Sequence, residues 1–212
     1  MSRLDPLDAL LGEVRDLTAR YQSGNRDSFQ AFRDLADRLL RLTVLDDSGA
    51  TRLSTGPRPN TFVLGGWNGP DDPLPLNDGR YLRVTVGLYW EETEHGPRLK
   101  VEQSSYQYQE DRDGDRWIFR YDFLRNPPAP HPADHFQVRG TLLEDNCLPR
   151  GITLERVHFP TFRISLEAVI RLLADQFEVS TNEPADLWRP VLAETERAFH
   201  GIAHRSLSGP ER

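Results

Sequence analysis

The chain has 212 residues, which is enough to bury a hydrophobic core as one domain with an appendage or as two small domains. Charged residues make up 28% of the sequence and the formal net charge is −7, so we expect no general attraction to nucleic acid or anionic membranes, and any nucleic-acid site has to be local. The single Cys147 excludes an intramolecular disulfide, and the absence of a signal-peptide-like N-terminus or an apolar run approaching ~20 residues predicts a cytoplasmic protein.

The first 45 residues show two amphipathic helical patterns. Apolar residues recur at helical spacing over 5–21, where Asp5 can cap the helix and Pro6 suits its first turn. A break at 23–25 separates this segment from a second helical pattern over 27–42. We therefore predict a helical hairpin over residues 1–45, whose apolar stripe packs on its own chain or docks on a partner or a second copy.

Residues 46–79 have a different composition, rich in Gly, Pro, Asn and Asp. Only the short apolar stretch 61–64 interrupts it. This pattern predicts a long irregular connection. The glycine-rich stretch 65–69 does not lie between a strand and a helix as a phosphate-binding loop would, so we interpret it as a turn-rich loop around Trp67.

Period-two alternation of apolar residues replaces the helical period in the centre of the chain. It predicts an antiparallel meander with turns at 95–97 and at Asp113-Gly114, and with an irregular proline-rich loop over 126–132. The predicted strands are 81–90, 99–108, 116–123 and 135–142.

The last part of the chain returns to helical spacing. Residues 152–164 read as one more extended segment interrupted at Pro160, after which Ser165 can cap a helix. A final helix is predicted over 184–203 with a kink at Pro190, followed by a tail over 206–212. The fold class is therefore α+β, an antiparallel β-meander of about four to six strands flanked by the helical hairpin and by two C-terminal helices, with the sheet and these helices forming a domain over 80–205.

A polar cluster is the most function-like feature of the predicted sheet. If the aromatic row at positions 117, 119, 121 and 123 faces the core, alternation collects cationic and imidazole groups on the opposite, open face. Guanidinium groups can bind phosphate, and a histidine can move protons. The alternative is a solvated face of cross-strand pairs. The cluster comprises Arg83, Arg120, Asp122, His135, Gln137 and Arg139.

A metal site is the other chemistry that the histidines suggest. His131 and His135 have the H-x-x-x-H spacing that binds zinc on a helix, with Asp134 between them. Pro132 argues against a helix, and His158 is the nearest further candidate ligand. We therefore predict no metal and no cofactor, and interpret both histidines as surface groups or acid–base candidates.

The segment from about 99 to 177 resembles the TumE-like family of bacterial toxin components. The resemblance is carried by Tyr106-Gln107-Tyr108, by Phe119-Arg120-Tyr121-Asp122, by the loop 131–138 and by the helix that starts at Ser165. It implies a toxin that acts inside the cell on RNA and is inhibited by a cognate antitoxin with a DNA-binding domain. Carried over by position, it singles out Arg120, Tyr121, Asp122, His131 and His135.

Three functions remain open on the sequence alone. The first is a toxin-like, metal-independent ribonuclease in which His135 or His131 acts as general acid or base and Arg120, Arg139 and Arg83 bind phosphate. The second is a non-enzymatic interaction or scaffold protein that uses the helical hairpin. The third is a small-molecule binding domain whose pocket floor is the sheet face.

Overall fold

The computed structural model describes residues 5–25, 27–94, 96–139 and 159–205. These residues form helices and one antiparallel sheet, which confirms the predicted α+β class. Among them, no helix combines the length and apolar character that a bilayer crossing requires. The helices are α1 (Pro6–Gln22), α2 (Ser28–Leu42), α3 (Leu166–Gln176) and α4 (Ala185–Arg205).

The sheet contains eight strands in the described part of the chain. They run in the order β1-β2-β4-β5-β6-β7-β8, and β3 pairs with β4 beside that path. The central four match the meander predicted from alternation. The strands are β1 (Thr51–Thr55), β2 (Thr61–Gly66), β3 (Leu74–Pro75), β4 (Tyr81–Thr93), β5 (Gly96–Gln109), β6 (Trp117–Leu124), β7 (Asp134–Val138) and β8 (Phe159–Pro160).

The prediction of an irregular connection over 46–79 is wrong, because three strands lie there. β1 and β2 form an antiparallel hairpin, and β2 pairs in turn with β4 through Leu64 and Val86. The loop between β1 and β2 closes with a hydrogen bond from Gly56 N to Thr61 O of 2.8 Å. Turn-forming residues dominate the local composition, so the strand pairing that decides the structure is long-range and leaves little local signal.

The chain divides into two compact units. The helical unit comprises Met1–Asp47, Glu91–Leu99 and Ser165–Arg212, and the sheet unit comprises Ser48–Trp90 and Lys100–Ile164. The C-terminal helices thus group with the N-terminal hairpin, whereas the sequence had placed them with the sheet in 80–205.

The N-terminal hairpin forms as predicted and buries its apolar stripe within its own unit. Asp5 caps α1 by accepting a 2.9 Å hydrogen bond from Leu7 N. Val14 and Leu17 are buried, and α1 packs on both α2 and α4. The chain's own helices therefore cover the stripe at Val14 and Leu17, while Leu7, Leu10 and Leu11 are partly exposed.

Several sequence predictions fall on residues outside the described ranges. The end of the strand predicted over 135–142 and the first part of the extended segment 152–164 belong there, as do His95, His158, Cys147 and the tail. Pro190 does lie inside α4, as predicted.

Candidate functional site

The strand register brings the polar residues of β6 and β7 together on one face of the sheet. Arg120 lies opposite Gln137 and Asp122 lies opposite His135. On the other side of β6, Arg120 is paired with Gln107 of β5. Residues at alternate positions share a face, so these side chains form one cross-strand cluster, as the alternation predicts.

One carboxylate oxygen connects the charged members of this cluster. The Nε atom of Arg120 donates a 2.6 Å hydrogen bond to Oδ2 of Asp122, and Nε2 of His135 lies 3.4 Å from the same oxygen. Arg120 also donates from Nη2 to Oε1 of Gln137, at 2.5 Å. The ring of His131 packs edge-on against His135, with ring centres 4.7 Å apart.

The prediction of an open, solvated face is wrong around His135. Its side chain is only 4% exposed, and Gln137 is 5% exposed. Arg120 and Asp122 keep more solvent contact, at 37% and 20%. A dissolved ligand can therefore meet the cluster at Arg120, Asp122 and the exposed Arg139, and beside it at the half-buried His131.

The turn over 111–115 covers the neighbouring part of the same face. Gln109 donates to the carbonyl oxygens of Asp111 and Arg112, at 2.7 and 3.1 Å. Gly114 lies so close to Arg83 that an added Cβ would be 3.0 Å from its guanidinium. This covering turn explains why polar residues of β5 are buried on a face predicted to be open.

Arg83 and Arg139, predicted to bind phosphate, each contact this turn. Arg83 donates to the carbonyl oxygen of Asp113 at 3.4 Å, and Arg139 donates to that of Asp115. Each contact engages one of the five donors of a guanidinium group, so phosphate binding by these two residues stays a prediction.

Tyr121 lies on the opposite, apolar face and is not part of the cluster. Its ring packs against Phe136 at 4.5 Å and Phe119 at 5.7 Å between centres. Burial raises the pKa of Tyr121. The site assignment that the resemblance implies for Tyr121 therefore lacks geometric support, while the assignments for the other four residues fall within one cluster.

Sequence reasoning missed the buried glutamines beside the cluster. Gln107 is 6% exposed, Gln109 is fully buried, and Gln107 Nε2 donates a 2.8 Å hydrogen bond to Gln109 Oε1. Polar residues alternate along β5, and this period-two pattern was the available signal. Among the described residues, no group of three or more His, Cys, Asp or Glu side chains is arranged to hold a metal ion.

Comparison with known proteins adds no assignment. No protein-family model matches the chain, and neither a curated protein nor a solved structure matches it significantly.

Proposed function

We propose that this protein is a toxin-like ribonuclease of a bacterial toxin–antitoxin module, which acts through Arg120, Asp122, His131 and His135 without a metal. The observation that carries the proposal is the sharing of Asp122 Oδ2 between Arg120 and His135, with a second imidazole against the first. A guanidinium, a carboxylate and two imidazoles are sufficient for acid–base catalysis on a phosphodiester.

His131 is the member suited to take a proton from the substrate. Its Nδ1 lies 2.9 Å from the carbonyl oxygen of Pro132, which can only accept a hydrogen bond. Nδ1 therefore carries the hydrogen, and the neutral ring has its lone pair on Nε2. In the proposed reaction, His131 Nε2 takes the proton of a ribose 2′-hydroxyl, whose oxygen attacks the adjacent phosphorus.

As the 2′-oxygen attacks, the P–O5′ bond breaks, and the departing 5′-oxygen takes a proton from water. The remaining residues of the site position the reacting groups and neutralise the charge on the phosphate. Arg120, which is partly exposed, faces the negative charge that builds up on the phosphate. His135 is buried, so it acts by holding Asp122 and the His131 ring in place.

The test compares wild type with His131→Ala and with a matched histidine variant. His200→Ala removes a half-exposed imidazole from α4 in the helical unit, and so controls for the loss of a histidine as such. Each chain is expressed from a tightly repressed promoter, and growth and total-RNA integrity are followed. The purified proteins are also incubated with RNA in excess EDTA.

Wild type and His200→Ala should arrest growth and degrade RNA with EDTA present. His131→Ala should cleave about 10²–10⁴-fold more slowly, the usual contribution of a positioned acid or base. Intact RNA and normal growth with wild type would reject the function. Full activity in a folded His131→Ala protein would reject the role of His131.

A protein-binding function is favoured by a separate observation in the sheet unit. Phe162 is 92% exposed and Phe159 of β8 is 40% exposed, so an apolar surface lies beside the strand that ends the sheet in the described part of the chain. An antitoxin that covers this surface would fit the same module. Co-expression with the product of the adjacent gene should restore growth for wild type and fail to do so for Phe162→Asp; equal rescue of both would exclude this surface.

A further inference from the structure

A cleft of about 510 Å³ lies in the sheet unit beyond the end of β2. Its lining includes Trp67, Asn68, Asp72 and Arg112. Trp67 is 59% exposed, although an indole is among the side chains that gain most from burial. The cleft volume lies in the range of small-ligand sites, and an aromatic ring at its edge offers a flat surface for stacking.

The loop that carries Trp67 is held rigidly. Gly65 and Gly66 pack so closely against Pro70 and Asp72 that a Cβ atom at either position would collide with backbone. Asp72 Oδ2 accepts hydrogen bonds from the backbone and side-chain nitrogens of Asn68, at 3.1 and 3.0 Å. The exposed indole is therefore presented on a preorganised loop, which lowers the entropy cost of binding a ligand.

Two guanidinium groups lie near the cleft. The guanidinium carbon of Arg52 lies over the Trp67 ring, 5.8 Å from its centre, and Arg112 lines the cleft with its side chain 55% exposed. Asp72, at 2.5 Å from Arg112, is the acidic partner. The charged residues of the cleft lining are Arg112 and its partner Asp72, so the additional cation near the indole is Arg52. An aromatic platform with flanking arginines is the arrangement that binds single-stranded nucleic acid.

The cleft and the His131/His135 cluster lie on the same face of the sheet. Thr85 of β4 donates a 3.0 Å hydrogen bond to Pro70 O, which places the Trp67 loop on the face that carries Thr85 and Arg83. Arg112 belongs to the turn that covers Gln107 and Gln109 on that face. Four strand spacings of about 4.8 Å separate β2 from β7, or about 19 Å in all.

We propose that the Trp67 cleft binds a base of single-stranded RNA by stacking on the indole, while Arg52 and Arg112 face the neighbouring phosphates. The inference deepens the proposed function and rests on RNA being its substrate. RNA held at this cleft passes over the turn 111–115, which covers Gln107 and Gln109, on its way to Arg120 and His131. The Trp67 cleft therefore binds the RNA, and the cluster with Arg120 and His131 cleaves it.

The test measures binding separately from cleavage. A fluorescein-labelled single-stranded 12-nucleotide RNA is titrated, in EDTA, with full-length His131→Ala protein and with the same protein carrying Trp67→Ala, Trp67→Phe or His200→Ala. His200→Ala is the matched control, because it removes an exposed aromatic ring from α4. Circular dichroism verifies that each variant is folded.

Trp67→Ala should raise the Kd for RNA about tenfold, the loss of one stacked base, while Trp67→Phe largely restores affinity and His200→Ala leaves it unchanged. An unchanged Kd in Trp67→Ala overturns the inference. So does binding of a glucose oligosaccharide at Trp67 without binding of RNA.

The two proposals fail in different ways. If RNA binds through Trp67 but stays intact in the presence of protein that retains His131, the ribonuclease proposal is rejected and the binding-site proposal stands. If wild type and Trp67→Ala cleave RNA with equal efficiency, the binding-site proposal is rejected and the ribonuclease proposal stands.

Discussion

The hydroxyl group of Tyr108 donates a 2.7 Å hydrogen bond to Oδ2 of Asp78, although the tyrosine is wholly buried. Arg80 donates to the same hydroxyl at 2.9 Å. Burial, followed by the bond to Asp78, raises the pKa of Tyr108 to about 12. The network ties the turn between β3 and β4 to the middle of the sheet.

Tyr108→Phe should lower the free energy of unfolding at neutral pH by about 1–2 kcal/mol, because it leaves Asp78 without its hydroxyl donor. The raised pKa stabilises the folded protein fully below about pH 10, the ordinary tyrosine value, and this contribution is lost as the pH rises towards 12. Urea unfolding across this range should show a steeper decline for wild type than for Tyr108→Phe. Parallel curves would contradict the assignment.

Glu167 is a buried carboxyl group at the start of α3, with a side chain 5% exposed. Burial raises its pKa, and the nearby Glu196 adds to that effect, while hydrogen bonds with Thr195 and Ser165 oppose it. A carboxyl pKa that is higher in the folded than in the unfolded protein means that the folded state favours the protonated form. The resulting contribution to folding stability is fully present below the pKa of the unfolded state, and it is lost as the pH rises through the pKa of the folded state.

Glu167→Gln should therefore raise the thermal midpoint at pH 7 by about 2–4 °C, the equivalent of about 1 kcal/mol. It should also flatten the loss of stability as the pH rises from acid to neutral. Glu196→Gln is the matched control and should destabilise, because Glu196 accepts hydrogen bonds from Arg171 and Ser165. A fall in midpoint for both variants would mean that Glu167 is needed in its charged form.

The connection between α1 and α2 depends on a glycine. Gly24 has φ +71°, and a Cβ there would meet the backbone carbonyl of Pro97. Gly24→Ala should cost at least about 2 kcal/mol of unfolding free energy, whereas Gly12→Ala should add about 0.5–1 kcal/mol, because Gly12 is inside α1 with open space around it. Chemical denaturation of both variants tests this contrast, which equal effects would refute.

The Arg120–Asp122 pair should stabilise the fold more than an exposed pair of the same kind. Asp122→Ala removes the acceptor for Arg120 and the neighbour of His135, and should cost about 1–2 kcal/mol after allowance for the solvent contact of Arg120. Glu102→Ala breaks an exposed ion pair with Arg58 and should cost below about 0.5 kcal/mol. The same denaturation assay compares them, and equal costs would show that the cluster is solvated.

Most helices and strands, and the residues of the polar cluster, could be predicted from the sequence because they follow from local periodicity. Alternation at period two and spacing at period 3.6 are local signals, so the meander and the helices were visible, as was the shared face of Arg120 and Asp122. Burial of His135 was not visible, because it depends on neighbours outside its own strand, including the His131 ring and Asp122 of β6. The same holds for the contact of Arg139 with Asp115 O, which lies in a turn more than twenty residues earlier.

The strands β1 and β2 were not predicted, because local sequence does not reveal long-range pairing. Thr51 is paired with Gly66 across a loop whose composition favours turns. The strand β2 then owes its position to Leu88 and Val86 of β4. Local composition indicates where the chain turns and carries little information about which distant strand will supply the hydrogen bonds.

The backbone connects the two units at more than one place. The backbone passes between the helical and sheet units at residues 47–48, 90–91, 99–100 and 164–165. Neither unit is a contiguous fragment, so a gene truncated after residue 47 encodes α1 without α4, against which α1 packs. Recombination therefore cannot exchange either unit as one continuous segment. A single backbone cleavage in β4 or β5 would interrupt the polypeptide of both units.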